Sequence, residues 1–462
     1  MKKFLTMFLF AAAVAGAFSF VLAEEESTGE KKFVLHGEIR QRFDFNDNLS
    51  DFTGDSDDSF AFFPYRARIG AEGHFGNDVV GYVEFQSIGY WGDIPPIKGF
   101  QFGPVFGDNV SGPSNPPFGG NTNIVQNVNS GQFFSNDVEL YQGYLALQDI
   151  GDSRFSLMLG RQEIVKGSEM LLGDNDFYSG ISHDGAMGCW KWDHFDLDLW
   201  WTRPLQSGGF FSDPDHQSIN FYGAWLDWAR YKNGVSWSAY ILDYEDGTTS
   251  TLNPTRRQFW TVGGRSDREV IGKNGFYWNA ELAYQTGEYN NGPGLGDTAD
   301  IEAMAWEGTI GYNFDGDRDQ KVHVTYDMAS GDDDATDDDA EFFDPLFQDS
   351  HNRYGFTDLF TFSNLTVWGA GYSMNMNEKH SWGVDFWNQE LTEEIVGGPA
   401  DGHDALGQEL DAWWKLQYSP NTQILVGAAW FDPGDAISEV VEFFGESPDS
   451  GIRGLAQVRL RW

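Results

Sequence analysis

The sequence predicts an all-β protein: a transmembrane antiparallel β-barrel of about eighteen strands, with short periplasmic turns and long extracellular loops. Three observations predict it. Segments of roughly ten residues alternate apolar and polar side chains with period two, as a strand must when it separates lipid from a wet interior. Minimal turns and long Gly/Asp/Asn-rich loops take strict turns between those segments. Beyond the first two dozen residues, no run approaches the roughly 18 consecutive apolar residues of a membrane helix. A mean hydropathy of −0.44 does not oppose a barrel, whose outward and inward residues average out.

The chain opens with Lys2-Lys3, an apolar run from Phe4 to Leu22, and Val21-Leu22-Ala23 before Glu24-Glu25-Glu26. This is the layout of a signal peptide cleaved after Ala23; an uncleaved membrane anchor is the alternative. The expected organisation is therefore a leader over 1–23, a short acidic segment over 24–32 and a barrel over 33–462.

Phe33 to Phe43 is the first strand, with Leu35, Gly37 and Ile39 against His36, Glu38, Arg40 and Arg42. Tyr65 to Phe75 is the second, setting Tyr65, Ala67, Ile69 and Ala71 against Arg66, Arg68, Glu72 and His74. Gly76-Asn77-Asp78 is a minimal turn of residues that tolerate unusual backbone angles, and Val79 to Ile88 returns. A Gly/Pro/Asn-rich loop follows over 89–136, long and small-residue rich, and is the expected constriction or lid.

The strand–turn–strand unit then repeats: 138–148 with 154–162, 183–192 with 195–202, and 218–228 with 235–244. It continues with 258–264 and 276–287, then 301–313 and 321–329, then 365–374 and 381–389. Near the end, Leu410, Ala412, Trp414, Leu416 and Tyr418 oppose Glu409, Asp411, Lys415 and Gln417. After Ser419-Pro420-Asn421, the returning strand carries Ile424, Val426, Ala428 and Trp430 on its apolar face. The last strand sets Gly454, Ala456, Val458, Leu460 and Trp462 against Arg453, Gln457, Arg459 and Arg461. A terminal aromatic residue on such a strand suits a barrel ending at the periplasmic rim, where assembly machinery would engage the C-terminal strand. Trp200, Trp201, Trp306, Trp382, Trp387, Trp413 and Trp414 are expected in the interfacial girdle. Outer-membrane lipid and lipopolysaccharide are thus expected partners.

Three stretches carry a family likeness. Leu157 to Phe177 (LMLGRQEIVKGSEMLLGDNDF) brings Gly160-Arg161-Gln162-Glu163 off a strand into a Gly/Asp loop. His183-Asp184-Gly185 starts the next strand. Gly407-Gln408-Glu409-Leu410-Asp411 and Trp430-Phe431-Asp432-Pro433-Gly434 complete the set. In these the chain resembles the alginate-export family of outer-membrane porins, whose type member is an eighteen-stranded exopolysaccharide exporter. The resemblance implies an outer-membrane channel rather than an enzyme. Such exporters are expected to line the pore with Arg and Lys, whereas this chain holds 29 basic against 71 acidic residues.

That balance, −42 overall, excludes the basic footprint of a nucleic-acid binder. The single cysteine, Cys189, excludes an internal disulfide. No G-x-S-x-G, H-E-x-x-H, Walker loop or helix-opening G-x-G-x-x-G is present, so nothing points to catalysis. The expected pore-lining set is Arg40, Arg42, Arg66, Arg68, Arg161, Lys415, Arg453, Arg459, Arg461, Glu409 and Asp411. Closure of the last strand on the first would place seven of these arginines in one sector, favouring anions in the pore. The structural reading of the same residues is a set of ion pairs stiffening the wall. The expected function is passive passage of an anionic or saccharide solute across an outer membrane; the alternative is a loop-plugged, surface-binding or structural barrel. No cofactor is expected beyond weak Ca²⁺ at the acidic loop carrying Asp332, Asp333, Asp334, Asp337, Asp338 and Asp339, which the structural reading makes a solvated loop.

Overall fold

The computed structural model describes residues 31–49, 51–54, 59–91, 138–206, 219–228, 234–246, 256–270, 274–290, 298–334, 337, 339–349, 351, 353–395 and 398–462. The leader and the 89–136 loop named above lie almost entirely outside them. The strands are β1 (Lys31–Asp47), β2 (Phe60–Phe75), β3 (Val79–Trp91), β4 (Glu139–Leu147), β5 (Phe155–Gln162) and β6 (Ile181–Lys191). They continue as β7 (Phe195–Gln206), β8 (Ile219–Trp228), β9 (Val235–Asp246), β10 (Arg256–Arg268), β11 (Gly275–Asn290) and β12 (Thr298–Asn313). The last six are β13 (Lys321–Ala329), β14 (Leu365–Asn375), β15 (His380–Glu390), β16 (Ala405–Ser419), β17 (Thr422–Pro433) and β18 (Gly451–Arg461).

Each strand pairs antiparallel with its sequence neighbours, and β18 pairs with β1 from Glu38↔Arg461 to Asp47↔Ile452. Eighteen strands thus form a closed barrel with no free edge, the condition for placing a sheet in lipid. A two-residue strand, Asp339–Ala340, lies parallel on β12 in the β13–β14 loop. Among the described residues one helix, α1 (Asp435–Phe443), lies between β17 and β18 and buries Ala436, Ile437, Val440 and Val441, its i, i+1, i+4, i+5 face. Several strands run past the predicted ends on the long-loop side; β2 begins at Phe60 and β1 reaches Asp47. Beyond the lipid belt both faces are wet, so alternation no longer marks a strand that hydrogen bonds still extend.

The outer face carries Leu35, Ile39, Leu282, Ile310, Val324, Leu410, Val426 and Val458, all exposed as lipid contact requires. The tryptophan expectation needs correction. Neighbouring residues on a strand point to opposite faces, so Trp200-Trp201 and Trp413-Trp414 cannot both join a girdle. Trp201 is exposed outward while Trp200 is buried inside. Trp413 and Trp387 also face the lumen, where their indole N–H groups donate to Asp385 (3.2 Å) and Asp411 (3.1 Å).

The lumen is not uniformly polar. Phe52, Met170, Leu171, Leu172, Phe221, Phe259, Phe343 and Phe362 are almost wholly buried inside it. They come from strand residues, from Phe52 in the β1–β2 loop, and from two long loops, 163–180 and 330–364, that turn inward.

Candidate functional site

The register of β18, β1 and β2 assembles a wall of guanidiniums. Arg40 stands opposite both Arg459 and Arg66, and Glu38 opposite both Arg461 and Arg68. Like charges directly opposed destabilise a sheet, and Glu38 supplies the first compensation. Arg66 donates to its Oε1 through Nη2 (2.6 Å) and Nε (2.9 Å). Arg459 (2.6 Å) and Arg461 (3.0 Å) donate to its Oε2.

The second compensation comes from the 163–180 loop, which lays Asp176 across the wall. Its Oδ1 accepts from Arg66 (2.7 Å) and Arg68 (3.0 Å), its Oδ2 from Arg459 (2.5 Å) and Arg461 (3.4 Å). Burial alone would raise this carboxyl, but Arg66, Arg68 and Arg459 overcome it and hold Asp176 well below the ordinary carboxylate range. Loop carbonyls and two wall glutamines, Gln457 for Arg42 and Gln86 for Arg68, take remaining donors. Arg40 reaches the carbonyls of Asp176 (2.6 Å) and Tyr178 (2.7 Å), and Arg42 that of Phe177 (2.8 Å). Gly180, at φ +90, lets the chain leave the wall where a Cβ would meet Tyr141 and Arg68.

The 330–364 loop closes on the same sector, farther along β18 and β1. Arg453 grips Asp44 with two bonds (3.0 and 2.9 Å) and Asp358 with one (2.6 Å). Asp358 also accepts from the Tyr178 hydroxyl and bonds His351 Nδ1 (2.8 Å). Burial would raise Asp358, but His351 and Arg453 hold it below its ordinary value. The Phe177 ring lies between the Arg42 guanidinium, 3.5 Å from its centroid, and the stacked His351 ring. Further along, Thr357 N–H donates to Glu409 (2.8 Å) and Phe356 N–H to Asp411 (3.2 Å). Those two strand carboxylates therefore anchor the loop.

The loops are also joined to each other. Gly173 N–H donates to the Phe347 carbonyl (2.8 Å), Phe347 N–H to Leu171 (2.9 Å), and Asp349 N–H to Glu169 (3.2 Å). Arg353 ties this junction to Glu307 on β12 and to the Ser168 carbonyl. At the junction the side chains of Glu169, Asp174 and Asp349 each bring an oxygen within 4.8 Å of the others. Oxygen-seeking divalent cations accept such a set. Burial, then Glu169 and Asp174, push Asp349 up to about 7.

That shift sets a pH dependence. A carboxyl raised in the docked state from its ordinary value of about 3.9 favours docking of its protonated form. Loop docking is thus tightest in acid, weakens as pH rises from about 4 to about 7, and carries the full penalty above that. Hydrogen exchange at 169–174 and 347–349, corrected for intrinsic rates, should be faster at pH 8 than at pH 5, and Asp349→Asn should flatten the difference. Equal corrected rates at both pH values would refute this account.

The remaining expected residues are placed as follows. Lys415 lies on the luminal face of β16 near the short-turn end, 4.8 Å over the Trp413 ring. Arg161 is a correction. It shares the outward face of β5 with the exposed Leu159, and it pairs with Asp184 at 2.8 and 3.0 Å. Its neighbour Gln162 is the one buried inside; the sequence position was read one residue off the inward face. In the acidic run, Asp332 and Asp337 accept local backbone N–H bonds from Asp334 and Asp339. Among the described residues that run forms no converging trio, and Asp338 lies outside them. Asp176, Asp358 and His351 were missed. Their signal was present as apolar runs, Met170-Leu171-Leu172 and Phe342-Phe343, inside segments otherwise composed like extracellular loops.

A family model described as alginate export matches residues 37–443. No curated protein sequence matches. Among solved structures, OprD from Pseudomonas aeruginosa is similar at TM-score 0.57 and 11% identity, covering 95% of this chain and 96% of that one. Pseudomonas aeruginosa OpdQ is similar at TM-score 0.56 and 11% identity, over 93% and 98%. OpdK of the same organism, solved with vanillate, is similar at TM-score 0.53 and 11% identity, over 93% and 99%. At such identities the likeness is one of fold.

Proposed function

The chain belongs to the alginate export family of outer-membrane transport barrels, and from that premise we propose that it passes an anionic or saccharide solute across the outer membrane by passive diffusion. The observation that carries the choice of anion is the guanidinium wall. Arg40, Arg42, Arg66, Arg68, Arg459 and Arg461 line one arc of the lumen, and Glu38 and Asp176 are the carboxylates that Arg66, Arg68, Arg459 and Arg461 bond. Guanidinium forks suit carboxylate and sulfate. The fold is shared with OpdK, whose structure was solved with an aromatic carboxylate. Lumen-facing Trp387 and Trp413 would give a sugar ring a stacking surface. Export by a cleaved leader over 1–23 and folding through the C-terminal strand complete the proposal.

A second reading has its own observation. The two inward loops lie on the wall and on each other, as a plugged, surface-binding barrel would have them. Planar-bilayer conductance of the purified mature chain in a KCl gradient separates the two. The channel reading expects a Cl⁻-selective reversal potential, reduced by Arg40→Glu and Arg459→Glu. A cation-selective pore would make the acidic loops the source of the field. A folded barrel that never conducts would leave the plugged reading.

A further inference from the structure

We infer that the 174–180 segment is a latch: Asp176, an anion tethered to the chain, occupies the guanidinium site that an anionic solute must take, and closes the passage until a free anion displaces it. The inference rests on the channel reading above.

The first support is how Asp176 is held. Both its oxygens are used, each by two guanidiniums, one oxygen by the pair on β2 and the other by the pair on β18, the two strands that flank β1. A ligand carboxylate or sulfate would be bound by the same donors in the same way.

The second support is charge. Arg40 and Arg42 are buried, yet among the described residues neither has a carboxylate within 4.0 Å. Arg40 holds loop carbonyls instead, and Arg42 holds one loop carbonyl and the Gln457 side-chain oxygen of β18. Four of the six guanidiniums on the wall bond the two carboxylates Glu38 and Asp176, while Asp44, Glu84 and Glu163 stand further off beside Arg42 and Arg68, so positive charge still exceeds negative when the latch is closed. Buried charge lacking a counter-ion is costly, and an incoming anion would relieve it where the loop only partly does.

The third support is the way the segment is fastened. No strand pairing binds 174–180 to the wall. Its internal bonds are local: Tyr178 and Gly180 N–H to the Asn175 carbonyl, and Asp176 N–H to Asp174. Its bonds to β1, β2 and β18 run to arginine side chains. Pulling Asp176 away with nothing in its place would strand buried guanidiniums. Exchanging it for another anion keeps them paired, so opening is coupled to solute arrival by differential binding. Phe177 against Arg42 and His351, and Tyr178 on Asp358, set how firmly the latch closes.

Single-channel recording of the full mature chain tests this, with inorganic sulfate as the probe at constant ionic strength. Wild type is expected to conduct weakly in chloride and to rise saturably with sulfate. Asp176→Asn, verified as folded by its heat-shifted gel mobility, should conduct about 5-fold or more above wild type in chloride and lose the sulfate response. Asp184→Asn on the outer wall should behave as wild type. Steady conduction that neither sulfate nor Asp176→Asn alters would overturn the latch and leave the channel standing. If Asp176→Asn does not fold, a wild-type conductance flat in sulfate overturns the latch alone. Silence of wild type and Asp176→Asn in both salts would take down the channel reading and the latch with it.

Discussion

Arg453→Met is expected to lower the unfolding free energy of the barrel by about 3–5 kcal/mol at neutral pH, the usual loss when one partner of a buried ion pair is removed. Three elements meet at this side chain: β18 carries it, β1 carries Asp44, and the inward 330–364 loop carries Asp358. Both carboxylates are almost fully buried. Asp358 keeps His351 and the Tyr178 hydroxyl when the guanidinium is gone. Asp44 loses both bonds that Arg453 gives it, at the seam where the barrel closes. Methionine fills much of the space, so the loss is electrostatic rather than a cavity. Urea unfolding from detergent micelles would measure it, and two controls follow. Asp44→Asn combined with Arg453→Met should recover part of the loss. The deficit should also shrink at a pH low enough to protonate an unpaired carboxylate. A loss under 1 kcal/mol, or one insensitive to both controls, would mean the seam does not depend on this ion pair.

The strands were legible because lipid imposes period two on every one of them. The alternation that exposes Leu35, Ile39 and Val458 also turns Glu38, Arg40 and Arg459 inward, so the arginine sector could be assembled from the closing register alone. Legibility failed where a rule was applied by residue type rather than by position. Trp200 and Trp413 are aromatic, but each has a tryptophan neighbour on the outer face and must itself point in. Arg161 lies in a run that suggested a luminal motif, yet the exposed Leu159 two residues earlier fixes its face as outward. The loops were the larger gap. Nothing periodic marks 163–180 or 330–364, because, apart from Asp339–Ala340 on β12, their backbone bonds go largely to side chains and to each other rather than to a ladder. Asp176 reads in sequence as one more acid among 71. Its role depends on β1, β2 and β18 converging, and no local pattern records that.

Phe347→Ala is expected to produce the largest change that leaves the barrel itself intact. Phe347 is the apolar link between the two inward loops and the wall. Its ring lies 4.8 Å from His183, 5.1 Å from Phe221 and 6.3 Å from Tyr244, while its backbone exchanges bonds with Leu171 and Gly173. Truncating a buried phenylalanine costs about 3–5 kcal/mol through lost transfer energy and the cavity left behind. Here that cost falls on loop docking, since the eighteen-strand ladder does not pass through Phe347. Hydrogen exchange should therefore accelerate at 169–174 and 343–349 while the strands keep wild-type protection and the heat-shifted gel mobility is unchanged. Conductance should rise as well, in chloride and without sulfate. The contrast with Asp176→Asn is the informative part. Phe347→Ala loosens the apolar base of the plug but leaves Asp176 its guanidiniums, so some sulfate response should survive in it. If exchange accelerates while conductance stays at the wild-type level, the loops are not what closes the passage. If neither changes, the apolar junction does not hold them.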